Sequence, residues 1–279
     1  MSGQSGELSV DVEGGRLWAE VAGTGSGVVL LHAGIADARM WDPQWDALAA
    51  RHRVVRYDLR GFGRADVVAT RYSNRADVLA VMRAAGIDRA VLVGSSRGGG
   101  IAIDTALEFP QHVSGLVWVC GSVSGPMDIE EPPEELVVGA EEEALTEVKD
   151  WAGLADLMVR VWVDGLGQPL GRGPEDVREL VRTMCLETSV QEKSYGDPVP
   201  LDPPASGRLH ELRAPMLLIT GEYDVPTTAL VADVLAASVP SRRIDVDGVA
   251  HLPNLERPAW FTETLLAFLD EVDATAPRA

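Results

Sequence analysis

Val91-Leu92-Val93-Gly94-Ser95-Ser96-Arg97-Gly98-Gly99-Gly100 is the stretch on which the chain turns: an apolar, β-branched run drops straight into a serine flanked by glycines. Residues 90–93 predict a buried strand, and the residues from Gly98 onward suit a helix. The serine therefore sits on a strand-to-helix turn of the G-x-S-x-G type. Such a turn lifts one side chain clear of the backbone and leaves no room at its flanks, which Gly94 and Gly98 satisfy by lacking a Cβ. Register selects the serine. Ser96 has glycine two places before and two places after it, whereas Ser95 would need one where Val93 stands. The backbone N–H of Arg97 is expected to face charge developing on an attacked carbonyl, helped by the positive end of the helix that follows.

Outward from this turn, strand and helix patterns alternate. Residues 7–12 and 16–21 predict a hairpin around Glu13-Gly14-Gly15. Strands are expected at 28–31, 53–57, 116–120, 216–220 and 242–246, with helices at 41–50, 74–85, 98–109, 225–237 and 255–269. The continuous apolar runs suit strands buried on both faces of a parallel sheet. Between 123 and 205 the character changes. Pro, Glu and Gly dominate residues 126–143, and helical spacing returns at 155–163 and 174–187. This piece carries 19 acidic and 6 basic side chains, which is −13 of the net −19. The expected organisation is a first core segment, 1–122, a helical insertion, 123–205, and a second core segment, 206–279, whose polar tail frays.

Composition narrows the function classes. A net charge of −19 argues against nucleic acid and anionic membrane surfaces as partners. Cys120 and Cys185 are too few for a disulfide framework or a structural zinc site, so a reduced cytoplasm is the simplest setting. The first residues, Met-Ser-Gly-Gln-Ser-Gly-Glu, have neither the basic nor the apolar region of a secretory signal. No apolar run approaches the length of a bilayer span. A small-molecule partner fits this profile, and a homodimer is compatible with it.

A lone serine is a weak nucleophile and needs a base oriented by a third group. Asp224 follows the strand at 216–220, within Gly221-Glu222-Tyr223-Asp224. His251 follows the strand at 242–246, within Gly248-Val249-Ala250-His251. All three groups fall in loops after carboxyl ends of strands, where sites gather in open α/β sheets. Glu222, and Asp128 in the loop after the strand at 116–120, are the competing acids.

Together with His32-Ala33-Gly34 and Asp58-Leu59-Arg60-Gly61-Phe62-Gly63, these segments resemble the α/β-hydrolase superfamily. The resemblance is to its branch of small esterases, enol-lactonases, C–C bond hydrolases and cofactor-free haloperoxidases. It covers roughly 200 residues of the two core segments and no motif of the insertion. It implies a mostly parallel eight-stranded sheet flanked by helices, with the insertion as a cap. It also implies Ser96 as nucleophile, His251 as base, Asp224 as the acid, and no metal or organic cofactor. By position the oxyanion donors are the N–H groups of Arg97 and Gly34, with Ala33 a near alternative, while His32 braces their loop. The pocket is expected to draw on Ala33, Ile35, Trp151, Met158, Trp162, Met184 and the Arg97 side chain. Three departures bear on substrate class: Ala33 follows His32 where glycine is usual, Arg64 follows Gly63 where serine is usual, and Ser95 precedes the nucleophile where larger residues are common. The expected reaction is hydrolysis of an ester, lactone or thioester of a small, largely apolar acyl compound. C–C cleavage or perhydrolysis on the same triad, and a ligand-binding protein with a vestigial triad, are the alternatives.

Overall fold

The computed structural model describes residues 6–68, 70–191 and 196–275. The first five residues, where the absence of a signal was inferred, and the last four of the tail lie outside the described residues. Eight principal strands form one sheet: β1 Gly6–Val12, β2 Gly15–Ala22, β3 Gly27–Leu31, β4 Arg53–Tyr57, β5 Ala90–Ser95, β6 Val113–Val119, β7 Met216–Gly221 and β8 Ser241–Val246. Their spatial order is β1-β2-β4-β3-β5-β6-β7-β8. β1 and β2 form an antiparallel hairpin whose last pair, Val12 and Gly15, leaves the two-residue turn Glu13-Gly14. β2 is antiparallel to β4, and the pairs from β4 to β8 are parallel. A ninth, two-residue strand, Asp66–Val67, joins the sheet beside β2.

The apolar runs of the parallel strands divide between two cores because successive side chains point to opposite faces. Val29, Leu31, Leu92, Leu116 and Leu218 face one cluster, and Val28, Leu30, Val91, Val93, Val117 and Leu217 the other. Each such side chain is buried, worth roughly 1.5–3 kcal/mol apiece. Helices α2 (Asn74–Ala84), α3 (Arg97–Glu108) and α7 (Pro226–Ser238) cover the first face, while α1 (Asp42–Ala49) and α9 (Pro258–Thr275) cover the second. The helix expected at 255–269 is two: Pro258 disfavours helical backbone at Arg257, separating α8 (Pro253–Glu256) from α9.

The insertion between β6 and β7 holds α4 (Pro133–Glu147), α5 (Trp151–Val159) and α6 (Glu175–Val190). A fifteen-residue helix thus starts within the stretch that Pro, Glu and Gly dominate, where no helical spacing was picked out. It buries no side chain completely, so the apolar periodicity that marks a helix is weak. Its start was legible: Pro133 at the first position, then Glu134 and Glu135 in the first turn. After α5 the chain widens into a π-helical turn, Arg160–Gly165. Leu201 and Ala205 pack into the first core cluster, so the chain rejoins the core before residue 206. Among the described residues no helix is long and apolar enough to cross a membrane.

Candidate active site

The turn between β5 and α3 explains its glycines. A Cβ on Gly94 would lie 2.2 Å from the Gly98 carbonyl oxygen, and one on Gly98 would lie 2.4 Å from the Leu31 carbonyl oxygen. Ser96 between them has φ 52° and ψ −117°, a left-handed conformation that a serine adopts only when its surroundings impose it. They do so through four bonds: its N–H donates to the Val119 carbonyl at 2.9 Å, and its carbonyl accepts from Gly99 N–H at 2.9 Å, Gly100 N–H at 3.4 Å and Ser122 N–H at 3.2 Å. The side chain is left half-buried at the mouth of a cleft.

His251 and Asp224 meet across adjacent strand ends. His251 Nδ1 lies 2.8 Å from each oxygen of the Asp224 carboxylate, with both side chains almost wholly removed from solvent. Asp224 Oδ1 also accepts from Val225 N–H at 2.7 Å. The β7 end approaches the histidine loop so closely that a Cβ on Gly221 would sit 1.9 Å from the Ala250 carbonyl oxygen. Glu222 instead bonds Gly248 N–H, and Asp128 is exposed.

The histidine loop is also held by the insertion. His251 N–H donates to the Trp162 carbonyl at 3.2 Å, and the two rings lie 4.3 Å apart. Arg172 donates to the Gly248 carbonyl at 2.7 Å and pairs with Glu256 at 2.7 Å, while Glu256 accepts from Ala250 N–H at 2.9 Å.

Cys120, at the end of β6, adds a third group. Burial, with the Asp224 charge next, pushes its thiol well above the ordinary range. The donor atoms of Cys120, Asp224 and His251 lie within 4.8 Å of one another. A metal would require the thiolate. With its thiol protonated, the trio suits two donors converging on one carboxylate.

The loop after β3 is built around His32. Its Nε2 accepts from Leu59 N–H at 2.9 Å and its Nδ1–H donates to the Ala33 carbonyl at 2.7 Å, the pattern of a neutral ring. Burial holds its pKa below the ordinary 6.5. Ala33 N–H is directed to the Met40 sulfur at 3.3 Å. Gly34 is exposed and stands beside Arg97, whose Cβ a Cβ on Gly34 would meet at 3.9 Å. The second glycine-rich motif is a brace: Asp58 accepts from Ala38 N–H and from Arg64 N–H, both at 2.9 Å, and from Arg64 Nε at 3.0 Å. Arg64 also stacks on Trp18. The Arg97 guanidinium lies 5.7 Å from the Phe62 ring and beside the Tyr72 hydroxyl.

Ser96 and His251 line one cleft of about 430 Å³. Of the residues expected in a pocket, Trp162 lines it. Ala33, Met158 and Met184 are buried in the second core cluster with Ile35 packed against them, and Trp151 is half-buried at the start of α5. Their helical spacing reflects core packing between the insertion and the sheet. The remaining walls come from the loop after β6 and the first turns of α7, including Val123, Met127, Ile129, Val225 and Val231. Both follow carboxyl ends of strands, and that rule would have pointed to them. Another cleft, of about 350 Å³, lies within the insertion, and its arginines pair with its own carboxylates: Arg160 with Glu141, Arg182 with Asp156, Arg178 with Glu175.

Comparison with known proteins follows the same lines. The model of the "Alpha/beta hydrolase family" matches residues 28–264, and the chain belongs to that family. A 2-hydroxy-6-oxononadienedioate/2-hydroxy-6-oxononatrienedioate hydrolase of Paraburkholderia phymatum is 29% identical over 287 residues, spanning 93% of this chain and 94% of its own. The solved structure of Est816, described as an N-acyl homoserine lactone degrading enzyme, shares 26% identity and a TM-score of 0.73, covering 94% of this chain and 100% of that one. The esterase RhEst1 from Rhodococcus sp. has a TM-score of 0.78 at 22% identity, covering 98% and 100%, and is alike in fold.

Proposed function

We propose that this protein is a serine hydrolase that cleaves an ester, lactone or thioester of a small, largely apolar acyl compound through an acyl-enzyme. The observation that carries the reading is the buried contact of His251 Nδ1 with both Asp224 oxygens at 2.8 Å, on a histidine that shares its cleft with Ser96. Ser96 Oγ attacks the carbonyl carbon while His251 Nε2 takes its proton. Asp224 fixes the Nδ1–H tautomer and stabilises the imidazolium. The tetrahedral oxyanion is received by the Arg97 N–H at the head of α3 and by Gly34 N–H. Gly34 is preferred to Ala33 because the Ala33 amide is engaged with Met40. His251 then protonates the leaving alcohol or thiol as its bond to the acyl carbon breaks. Water, deprotonated by His251, attacks the acyl-enzyme and releases the acid and Ser96. The insertion acts as a cap over the cleft, and a reduced cytoplasm suits the two free, buried cysteines.

Cleavage of a C–C bond on the same triad is the second reading, favoured by the 29% identical relative from Paraburkholderia phymatum. A fluorophosphonate probe tests the serine chemistry common to both. A covalent adduct on Ser96, lost in Ser96→Ala, is expected; an unlabelled wild type that turns over no ester would overturn it. Esters and lactones set against a vinylogous 1,5-diketone then separate the two readings.

A further inference from the structure

The cleft beside Ser96 is asymmetric in chemistry. Its walls include Val123, Met127, Ile129, Val225 and Val231, and it also takes in Glu131 and Glu135, just before and at the start of α4. Among the described residues no lysine or arginine lines it. The arginines nearest the loops are committed elsewhere: Arg97 lies by Phe62 and Tyr72, Arg64 by Asp58, and Arg172 by Gly248 and Glu256. Glu135 is not a loose surface group. Its Oε1 accepts from Thr227 N–H at 2.8 Å, which ties α4 to the start of α7 and holds the carboxyl in the cleft wall. The Thr227 hydroxyl beside it is buried and has no hydrogen-bond partner among the described residues. Most of the negative charge of the chain lies in the insertion that contributes these glutamates.

Resting on the serine-hydrolase reading of this site, we propose that the cleft selects substrates by charge: an apolar chain next to the scissile carbonyl, ending in an amino group that meets Glu131 and Glu135, with carboxylate-ended chains rejected. An ammonium beside a carboxylate is attracted even at the dielectric of water and more strongly in a partly desolvated cleft, and a substrate carboxylate is repelled in the same measure. The balance of these two signs sets the discrimination.

Two matched ester series test it, one with the charge at the end of the acyl chain and one at the end of the alcohol. In the first, p-nitrophenyl 6-aminohexanoate, hexanoate and the adipate monoester are compared. In at least one series, kcat/KM for the amino compound is expected to exceed that for the carboxylate by at least about tenfold, with the neutral ester between them. In Glu131→Gln/Glu135→Gln the ratio of amino to carboxylate compound is expected to fall within about threefold, each rate being taken relative to that variant's own rate on the neutral ester; glutamine at 135 retains an oxygen for Thr227 N–H. The same order is read without turnover from dissociation constants on the Ser96→Ala chain. Equal rates and affinities for all three charges in both series, or a preference for the carboxylate, would overturn the charge selection. Ser96 labelling by the uncharged probe would still stand in that event, so the two failures are distinguishable.

Discussion

Trp162, in the inserted helices, holds His251, in the core, from two directions: its carbonyl accepts the His251 N–H at 3.2 Å and its indole lies 4.3 Å from the imidazole. The carbonyl is available because Trp162 lies in the last turn before the helix ends at Gly165, where carbonyls have no partner further along the helix. The insertion therefore sets the position of the histidine loop as well as walling the cleft. Arg172 repeats the arrangement one loop further on, through Gly248 and Glu256.

Removing the indole tests that coupling. Trp162→Ala keeps the carbonyl but frees the ring of His251 on one face, so kcat for a small neutral ester is expected to fall about tenfold or more with a smaller change in KM. Trp162→Phe, which restores an aromatic face, should recover most of the loss. An Ala variant with normal kcat and raised KM would mean that Trp162 only contacts substrate.

The acid is the next assignment open to test. Asp224 lies 2.8 Å from His251 Nδ1 through both oxygens, whereas Asp128 is exposed. Asp224→Asn should reduce kcat by about three orders of magnitude, since an amide can present its N–H to Nδ1 and invert the tautomer. Asp128→Asn should stay within about twofold of wild type. A mild Asp224 variant beside an inactive Asp128 variant would reverse the assignment.

Much of this arrangement was readable in the sequence because it is local or periodic. The strand-turn-helix around Ser96 and the loops bearing Asp224 and His251 are each written in a few consecutive residues, as are the fully apolar strands. What was not readable depends on distant packing. Met158 and Met184 have the spacing of a pocket stripe and of a core stripe alike, and only their partners place them in the core. Arg97 adjoins Ser96 in sequence, yet its guanidinium is drawn to Phe62 and Tyr72, some 25 to 35 positions away. Cys120 gave no signal at all, since its contact with Asp224 spans more than a hundred residues.

The elbow glycines predict a stability contrast. Gly98→Ala would bring a Cβ within 2.4 Å of the Leu31 carbonyl oxygen, a rigid backbone atom. A loss of about 2–3 kcal/mol is expected, or roughly 5–10 °C in Tm. Gly139 lies inside the exposed α4 with nothing within 4 Å of its added Cβ. Gly139→Ala should gain about 0.5–1 kcal/mol from helix propensity. Thermal melts of the two variants give opposite signs if the close approach at Gly98 is real, and similar small shifts if it is not.

His32 makes stability depend on pH. Burial depresses its pKa below 6.5, and its bonds to Leu59 N–H and the Ala33 carbonyl use the neutral ring. As pH falls below 6.5 the unfolded chain binds the proton first, so stability present above that value is lost on acidification. His52 is buried beside Ser26, and burial lowers its pKa too, so it acts in the same sense. Burial raises the carboxyl groups of Asp77, Asp104 and Glu256, whose ordinary values of 3.8 to 4.5 lie lower and whose effect has the opposite sign. The difference between wild type and His32→Asn therefore isolates this ring. Denaturant midpoints measured from pH 7.5 to about 5.5 should fall for wild type and fall less steeply for the variant. Parallel slopes would mean that His32 takes up its proton in the folded chain without cost, which its donor from Leu59 forbids.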